Sequence, residues 1–364
     1  MKPENPNRQY YPVLDGIRGF AILLVVFYHN FGFINYFFFG WLGVDLFFVL
    51  SGFLITDILL KTLGNKNYLR NFYTRRVLRI FPLYYLCLII FLIILPRVPN
   101  LTIDLSYYVQ NQWWLWAYLQ NWLYIFKPNN HTFALHHFWS LAVEEQFYLL
   151  WPLTILVLKK PKYLLLLMGG LLLLVIFLRF IIWTYHIEHL AYYNLFTFSR
   201  IDGICIGCML SLVHRVNPGF LKKFTPVIVL AMAAINFIFY FFNGSFDFTF
   251  PYPYLAIVGY TTFAILFALL INEAVTQKSR IINFIFNNDI LKFFGKISYG
   301  LYIYHWPLYL LLRPYIIKLA QRNLGQFSSQ FLASVIGTLV AILISFLSYR
   351  YFESYFLKLK DRFR

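Results

Sequence analysis

Apolar runs of about 20 residues recur from end to end of this 364-residue chain. A helix of that length crosses the hydrocarbon core of a bilayer. The runs predict ten membrane spans, roughly 14–33, 41–60, 77–96, 138–158, 163–184, 193–213, 225–243, 253–272, 297–316 and 329–348. Only 12% of residues are charged, against about 25% in soluble domains, while 60% are hydrophobic and 22% aromatic. The expected fold is all-α: a polytopic membrane protein with no soluble domain. It is read as a single integral-membrane domain over 1–364, with a helical core at 9–348 and a basic tail at 349–364.

The net charge of +17 resembles that of a nucleic-acid binder, but its placement argues otherwise. With the N-terminus inside, Lys61, Lys66, Arg70, Arg75 and Arg76 fall on the cytoplasmic side, as do Lys159, Lys160 and Lys162. So do Arg215, Lys223, Arg280, Lys292, Lys296 and the tail. The outer loops hold only Arg97, Lys127, Lys318 and Arg322. Positive charge favours the cytoplasmic side, so both termini are expected there, with anionic lipid rather than nucleic acid as partner. The first residues lack the apolar core and cleavage site of a secretory signal and read as a cytoplasmic tail. Residues 107–126, aromatic and amphipathic, would reverse the later loops if they spanned. They read as an outer interfacial or re-entrant segment. Cys87, Cys205 and Cys208 fall in apolar spans. The Cys205-Ile206-Gly207-Cys208 spacing has no ligands near it, so neither a disulfide framework nor a metal site is expected.

Arg18 and His29 carry the sharpest functional signal. Eleven helical steps of about 100° return to nearly the same face, about 16 Å further along the axis. An arginine near one membrane face thus sits in phase with a histidine deep in the bilayer, where ionisable groups mark function. An anion grip and a distant base suit a long substrate charged at one end. Asp45, Glu144, Glu145, Arg179, Arg200 and Asp202, from four further spans, are expected to share the outer half with His29. A polar layer fed by several helices is what a catalytic or transport cavity looks like. Plainer readings stand beside these. Arg200 and Asp202, near neighbours, could form an ion pair; Asp45 could hold an arginine; His305 could be packed beside the Pro307 kink. His136 and His137 are expected to be solvated at the outer mouth. Arg76 and Arg79, three apart on one helix face at the inner boundary, suit bidentate phosphate binding.

Several blocks together resemble the acyltransferase-3 family of integral membrane O-acyltransferases of bacterial envelope glycans. They are Leu14-Asp15-Gly16-Ile17-Arg18-Gly19 with His29; Trp41-Leu42-Gly43-Val44-Asp45-Leu46-Phe47-Phe48-Val49-Leu50-Ser51-Gly52-Phe53; and Asn71-Phe72-Tyr73 with Arg76 and Arg79. Phe138-Trp139-Ser140-Leu141-Ala142-Val143-Glu144-Glu145-Gln146-Phe147-Tyr148, Arg200-Ile201-Asp202-Gly203 and Ser298-Tyr299-Gly300-Leu301-Tyr302-Ile303-Tyr304-His305 follow in the family's order. Some members carry an extracytoplasmic esterase-like domain after the last span; none is expected here, which leaves the acceptor open.

The resemblance implies a multi-pass enzyme of the bacterial inner membrane that moves a short acyl group, acetyl first of all, from cytoplasmic acyl-coenzyme A. The acceptor would be a hydroxyl of an envelope glycan or lipid-linked sugar. Acetyl-coenzyme A would be a donor substrate, with no bound cofactor. Its phosphates would rest on Arg76, Arg79 and Arg18, and its thioester would meet His29 as general base. Glu144 first, and Asp45 second, would orient the histidine ring. Trp139, Ser140, Arg200, Asp202 and His305 are the expected substrate-binding groups. A transient acyl-histidine relay is the alternative mechanism. An exporter or flippase of envelope polysaccharide, without bond chemistry, is the alternative function.

Overall fold

The structure is a computed structural model that describes residues 11–99, 101, 103–128, 133–185, 194–217, 219–243, 258–276 and 279–363. Residues 1–10, expected as a cytoplasmic tail, lie outside them. Among the described residues the regular structure is helical throughout, with no strand. The long helices are α1 (Pro12–Phe31), α2 (Leu42–Thr62), α3 (Tyr68–Leu88), α4 (Trp139–Leu158) and α5 (Pro161–Thr184). They continue as α6 (Asp202–Val216), α7 (Phe220–Asn243), α8 (Tyr260–Thr276), α9 (Asp289–Ala320) and α10 (Gln326–Ser348). Each of the ten expected spans overlaps one of these helices.

Seven stretches are long and apolar enough to cross a membrane, and eight if the bent pair Tyr260–Thr276 and Arg280–Phe286 counts as one. The expected spans at 193–213 and 297–316 are not in that set. The first is broken at Ile201, where the turn Thr197–Arg200 hands over to the 15-residue α6. The second lies in α9, whose middle carries Tyr299, Tyr302, Tyr304, His305, Trp306 and Pro307 in place of aliphatic residues. α1 opens on Pro12, whose missing N–H costs nothing in a first turn. α3 runs on through a π-helical turn, Ile89–Ile94, and stops at the Pro96 turn.

Residues 107–126 do not form a span. They lie in three short helices, Ser106–Gln110, Gln112–Trp116 and Gln120–Phe126. Tyr84 of α3 donates its hydroxyl to the Leu115 carbonyl at 2.7 Å, and Gln120 donates to the Phe138 carbonyl at 2.8 Å. These bonds pin the segment over the ends of α3 and α4. The expected basic tail is also structured, with a π-helical turn at Tyr349–Glu353 and a helix at Ser354–Lys360.

The helices that build the interior meet through glycines. A Cβ on Gly295 of α9 would stand 1.9 Å from the Asp15 carbonyl oxygen of α1, and one on Gly19 of α1 would stand 1.9 Å from that of Leu291. α2 and α6 make the same kind of contact, Gly52 against Ile204 and Gly207 against Val49, each at 2.1 Å. Helices in lipid gain little from apolar burial against one another, so such close backbone approach is what holds them. α5 and α7 turn large apolar side chains outward, among them Leu166, Leu173, Phe177, Leu230 and Phe237.

Gly295→Ala should therefore force α1 and α9 apart, at a cost of about 1–3 kcal/mol. Gly169→Ala in α5, where nothing lies within 4 Å, should leave stability unchanged or slightly raised. Thermal unfolding of the two variants in detergent checks this; equal midpoints would contradict the close-packing account.

Candidate active site

A cavity of about 110 Å³ lies between α1, α2, α3, α4 and α9, room for several waters or the slender part of an elongated substrate. Arg18, Arg76 and Arg79 bring three guanidinium groups to its wall, and Glu144 and Glu145 bring two carboxylates. Arg18 is also paired with Asp15 at 3.1 Å. Glu144 accepts from the Ser51 hydroxyl at 2.7 Å, and Ser51 in turn accepts from Tyr148 at 2.8 Å. The Arg76 guanidinium lies over the Tyr148 ring, 4.9 Å from its centre. These contacts fix both charges with side chains that have few alternative rotamers.

Arg76 and Arg79 also line a second cleft, with Asn65, Tyr68, Asn71, Phe72, Arg75 and Lys360. It opens where α2 ends and α3 begins, the end of the bundle that carries Lys61, Lys66 and Arg70. The two arginines are thus the shared wall between a basic mouth and the inner cavity. At the far end of the cavity the Tyr302 hydroxyl meets Ser140 Oγ at 2.5 Å and donates to the His137 carbonyl at 2.5 Å.

Beyond that hydroxyl pair lie three imidazoles. His29 Nδ1 is 3.1 Å from His305 Nε2 and 3.0 Å from the Val25 carbonyl oxygen. His305 Nδ1 is 2.9 Å from each of the Leu301 and Tyr302 carbonyl oxygens. The His137 ring is centred 6.1 Å from that of His29 and 5.1 Å from that of His305. Both its ring nitrogens are buried and have no hydrogen-bond partner among the described residues. The Trp306 ring is centred 5.2 Å from that of His29. His137 and His305 are buried, while His29 keeps part of its surface accessible.

Beside this column two ion pairs are closed from solvent. Arg200 donates to Asp45 at 2.7 Å, and Arg179 lies 2.9 Å from Asp202. Arg179 also donates to the Ser199 carbonyl. Thr261 donates to Asp202 at 2.8 Å. Tyr260 and Trp139 flank the Arg200 guanidinium, which lies 3.6 Å and 5.3 Å from their ring centres. Burying charge in hydrocarbon is tolerable only with such pairing.

A family profile described as an acyltransferase domain matches residues 11–350. The chain belongs to the acyltransferase-3 family. It is 32% identical over 96% of its length to the peptidoglycan O-acetyltransferase OatA of Listeria monocytogenes, covering 56% of that protein. It is 29% identical over 97% of its length to YrhL of Bacillus subtilis, named as a candidate peptidoglycan O-acetyltransferase, again covering 56%. A candidate O-acetyltransferase of Staphylococcus aureus strain COL is 29% identical over 96% of the chain, with 58% covered. The chain thus spans about half the length of the curated relatives it matches. No solved structure matches it.

Within this acyltransferase-3 chain the structure brings Arg18, Arg76 and Arg79 to one cavity, the grouping the family resemblance implied, and it corrects several expected contacts. Glu144 does not share a level with His29. Its partner Ser51 lies six residues, about 9 Å, further along α2 than Asp45, which puts Glu144 beside the arginines. No carboxylate among the described residues bonds to His29. Asp45 makes no bond to that ring either; its Oδ1 accepts from Arg200 and its Oδ2 has no hydrogen-bond partner among the described residues. Glu145, expected in the outer polar layer with His29, lines the same cavity as Glu144. Arg200 and Asp202 do not pair with each other, since the chain turns at Ile201 and sends each to a different partner. Arg200 meets Asp45 through one nitrogen, Nη2, and its Nε and Nη1 have no hydrogen-bond partner among the described residues, whereas Asp202 is held by Arg179 and Thr261. Trp139 packs on Arg200 rather than on open space, and Ser140 reaches the cavity but is bonded to Tyr302.

Two further corrections concern histidines. Both His305 nitrogens are occupied by protein atoms, which leaves none for substrate. His137, expected in solvent with His136, is enclosed. Tyr302 was not singled out in the sequence, although its spacing of three from His305 puts both on one helix face.

Asp45→Asn, or Arg200→Ala, should destabilise the fold by about 3–5 kcal/mol, because each leaves a buried charge without its partner. Asp45→Asn combined with Arg200→Ala should cost less than the sum of the two single changes. A double-mutant cycle on thermal unfolding measures this; additive effects would contradict the pairing.

Proposed function

We propose that this chain is an O-acyltransferase that moves a short acyl group, acetyl first of all, from cytoplasmic acyl-coenzyme A to a hydroxyl of an envelope glycan. Peptidoglycan or a lipid-linked sugar is the proposed acceptor class, in keeping with the names of the relatives. The observation that carries the reading is the shared wall of Arg76 and Arg79. It joins a basic mouth to a cavity that ends beneath three imidazoles. A sugar exporter has no use for an anion grip set in line with a distant base. The basic mouth would face the cytoplasm, with the chain multi-pass in the bacterial inner membrane and both termini inside.

The mechanism follows from the column. Donor phosphates rest on Arg76 and Arg79, with Arg18 beside them. Guanidinium forks match phosphate oxygens, and the site is partly desolvated. Glu144 and Glu145 counter these charges from deeper in, so the phosphates stop at the arginines and only the neutral pantetheine arm continues. The thioester arrives at the Ser140–Tyr302 end. The acceptor enters on the accessible side of His29. His29 takes the hydroxyl proton as the oxygen attacks the thioester carbon. The carbon–sulfur bond breaks, and the proton passes to the departing thiolate. His137, whose nitrogens have no hydrogen-bond partner among the described residues, would hold the acyl or the acceptor oxygen.

Arg76→Ala and Arg79→Ala should weaken coenzyme A binding by about 1.5–3 kcal/mol each, the worth of a charge-assisted contact, or roughly 10- to 100-fold. His29→Ala should abolish transfer and leave that binding unchanged. Calorimetric titration with coenzyme A and an acetyl-transfer assay on purified protein separate the two. Wild-type affinity in both arginine variants would contradict the donor path, and full transfer by His29→Ala would contradict the base.

A further inference from the structure

The three imidazoles carry a proton assignment that follows from their bonds alone. His305 Nδ1 faces two carbonyl oxygens, those of Leu301 and Tyr302, each at 2.9 Å. A carbonyl only accepts, so this nitrogen must carry a hydrogen. His305 is fully buried, with no carboxylate bonded to it among the described residues. A second proton would place an unpaired cation in a closed, apolar site, which is costly. The ring is therefore neutral, and its Nε2 offers a lone pair. That lone pair lies 3.1 Å from His29 Nδ1, which also lies 3.0 Å from the Val25 carbonyl oxygen. Two acceptors converge on one nitrogen, so His29 Nδ1 is the N–H and its Nε2 is left with the free lone pair.

We infer that His305 is a positioning residue. Its Nε2 accepts from His29 Nδ1–H and locks His29 in the tautomer whose Nε2 is the base. In a Ser-His-Asp triad a carboxylate plays this part; here a neutral imidazole, itself fixed by the carbonyls of its own helix, replaces it. The inference rests on the acyl-transfer reading for its catalytic meaning but not for its geometry. During transfer the acceptor proton moves to His29 Nε2. The imidazolium keeps its Nδ1–H bond to His305, then returns the Nε2 proton to the thiolate. No proton passes through His305, whose Nδ1–H stays on the carbonyls. A neutral partner stabilises the imidazolium less than a carboxylate would, so the intermediate cation is short-lived and returns its proton readily.

The arrangement also restricts each neighbour. The His137 ring, 5.1 Å from His305 centre to centre, makes no hydrogen bond to it. The Trp306 indole donates to the Phe133 carbonyl at 2.8 Å and so cannot donate to the His29 lone pair. Nothing in the protein competes with the acceptor hydroxyl for His29 Nε2 among the described residues.

Nitrogen-15 NMR on histidine-labelled full-length protein in lipid nanodiscs reads the tautomers directly, with His29→Gln and His305→Gln supplying the assignments. The expected result is Nδ1–H with bare Nε2 on both rings at neutral pH. A His29 ring protonated at Nε2 would overturn the inference, whatever the enzyme's activity. In the transfer assay, His305→Phe should lower kcat roughly 10- to 100-fold with coenzyme A affinity unchanged. This lies at the low end of a general base's contribution, because the Val25 carbonyl still accepts from Nδ1–H. His305→Gln, whose amide oxygen can accept in place of Nε2, should recover much of that loss. Full turnover in His305→Phe would remove the positioning role. Should that variant fail to fold, the tautomer of the wild-type protein still decides. Absence of transfer activity in the wild-type protein, with the expected tautomers observed, would overturn the functional reading and not the proton assignment.

Discussion

The close approach of α1 and α9 sets where everything else in the site can be. Gly19 and Gly295 let the two backbones meet with no side chain between them, and that contact continues outward until His29 and His305 share a hydrogen bond. A single methyl at either glycine would move one imidazole relative to the other, and a bond of 3.1 Å has little tolerance for that. The precision of the proposed acid-base centre is therefore bought with residues that have no chemistry of their own. The same device recurs where Gly52 and Gly207 bring α2 against α6. There it holds Asp45 close enough to meet Arg200. In lipid, where apolar burial between helices drives little, backbone proximity and buried polar bonds are the remaining sources of order.

Under the proposed function, the column built on this contact separates two tasks that would interfere if they were adjacent. Guanidinium groups that grip an anion raise the positive potential around them and would disfavour protonating a base nearby. Distance along α1 keeps Arg18 about 16 Å from His29. Glu144 and Glu145 sit with the arginines and lower their net field. The Ser140–Tyr302 hydroxyl pair stands between the charged chamber and the imidazoles. The Asp45–Arg200 and Arg179–Asp202 pairs brace the side of the column and leave its axis to uncharged groups.

Much of this was legible in the sequence. The apolar runs gave the helices their places, and the Arg18–His29 phase marked a line along α1 whose Arg18 end shares a cavity with Arg76 and Arg79. What periodicity could not reveal was which helices touch. Glu144 and His29 were set at one depth from their distances to assumed span ends, but α4 meets α2 at Ser51, which draws Glu144 toward the arginines. Arg200 and Asp202 are two residues apart, and only the turn at Ile201 sends them to separate partners. His137 looked solvated because it precedes a helix beside a polar loop. The rings of His29, Phe138, Tyr302 and His305 pack around it instead, a consequence of tertiary fold that no local pattern carries. The aromatic middle of α9 lowered its apolarity for the same reason it matters: its side chains face the site.

The most direct test of the central claim is a structure of the protein with a non-hydrolysable acetyl-coenzyme A analogue, solved by cryo-electron microscopy in nanodiscs. The account predicts phosphate density against Arg76 and Arg79, the pantetheine arm along the cavity, and the acyl carbon beside Tyr302 within reach of His29. An analogue lying across the basic mouth, with its acyl end outside the cavity, would contradict it.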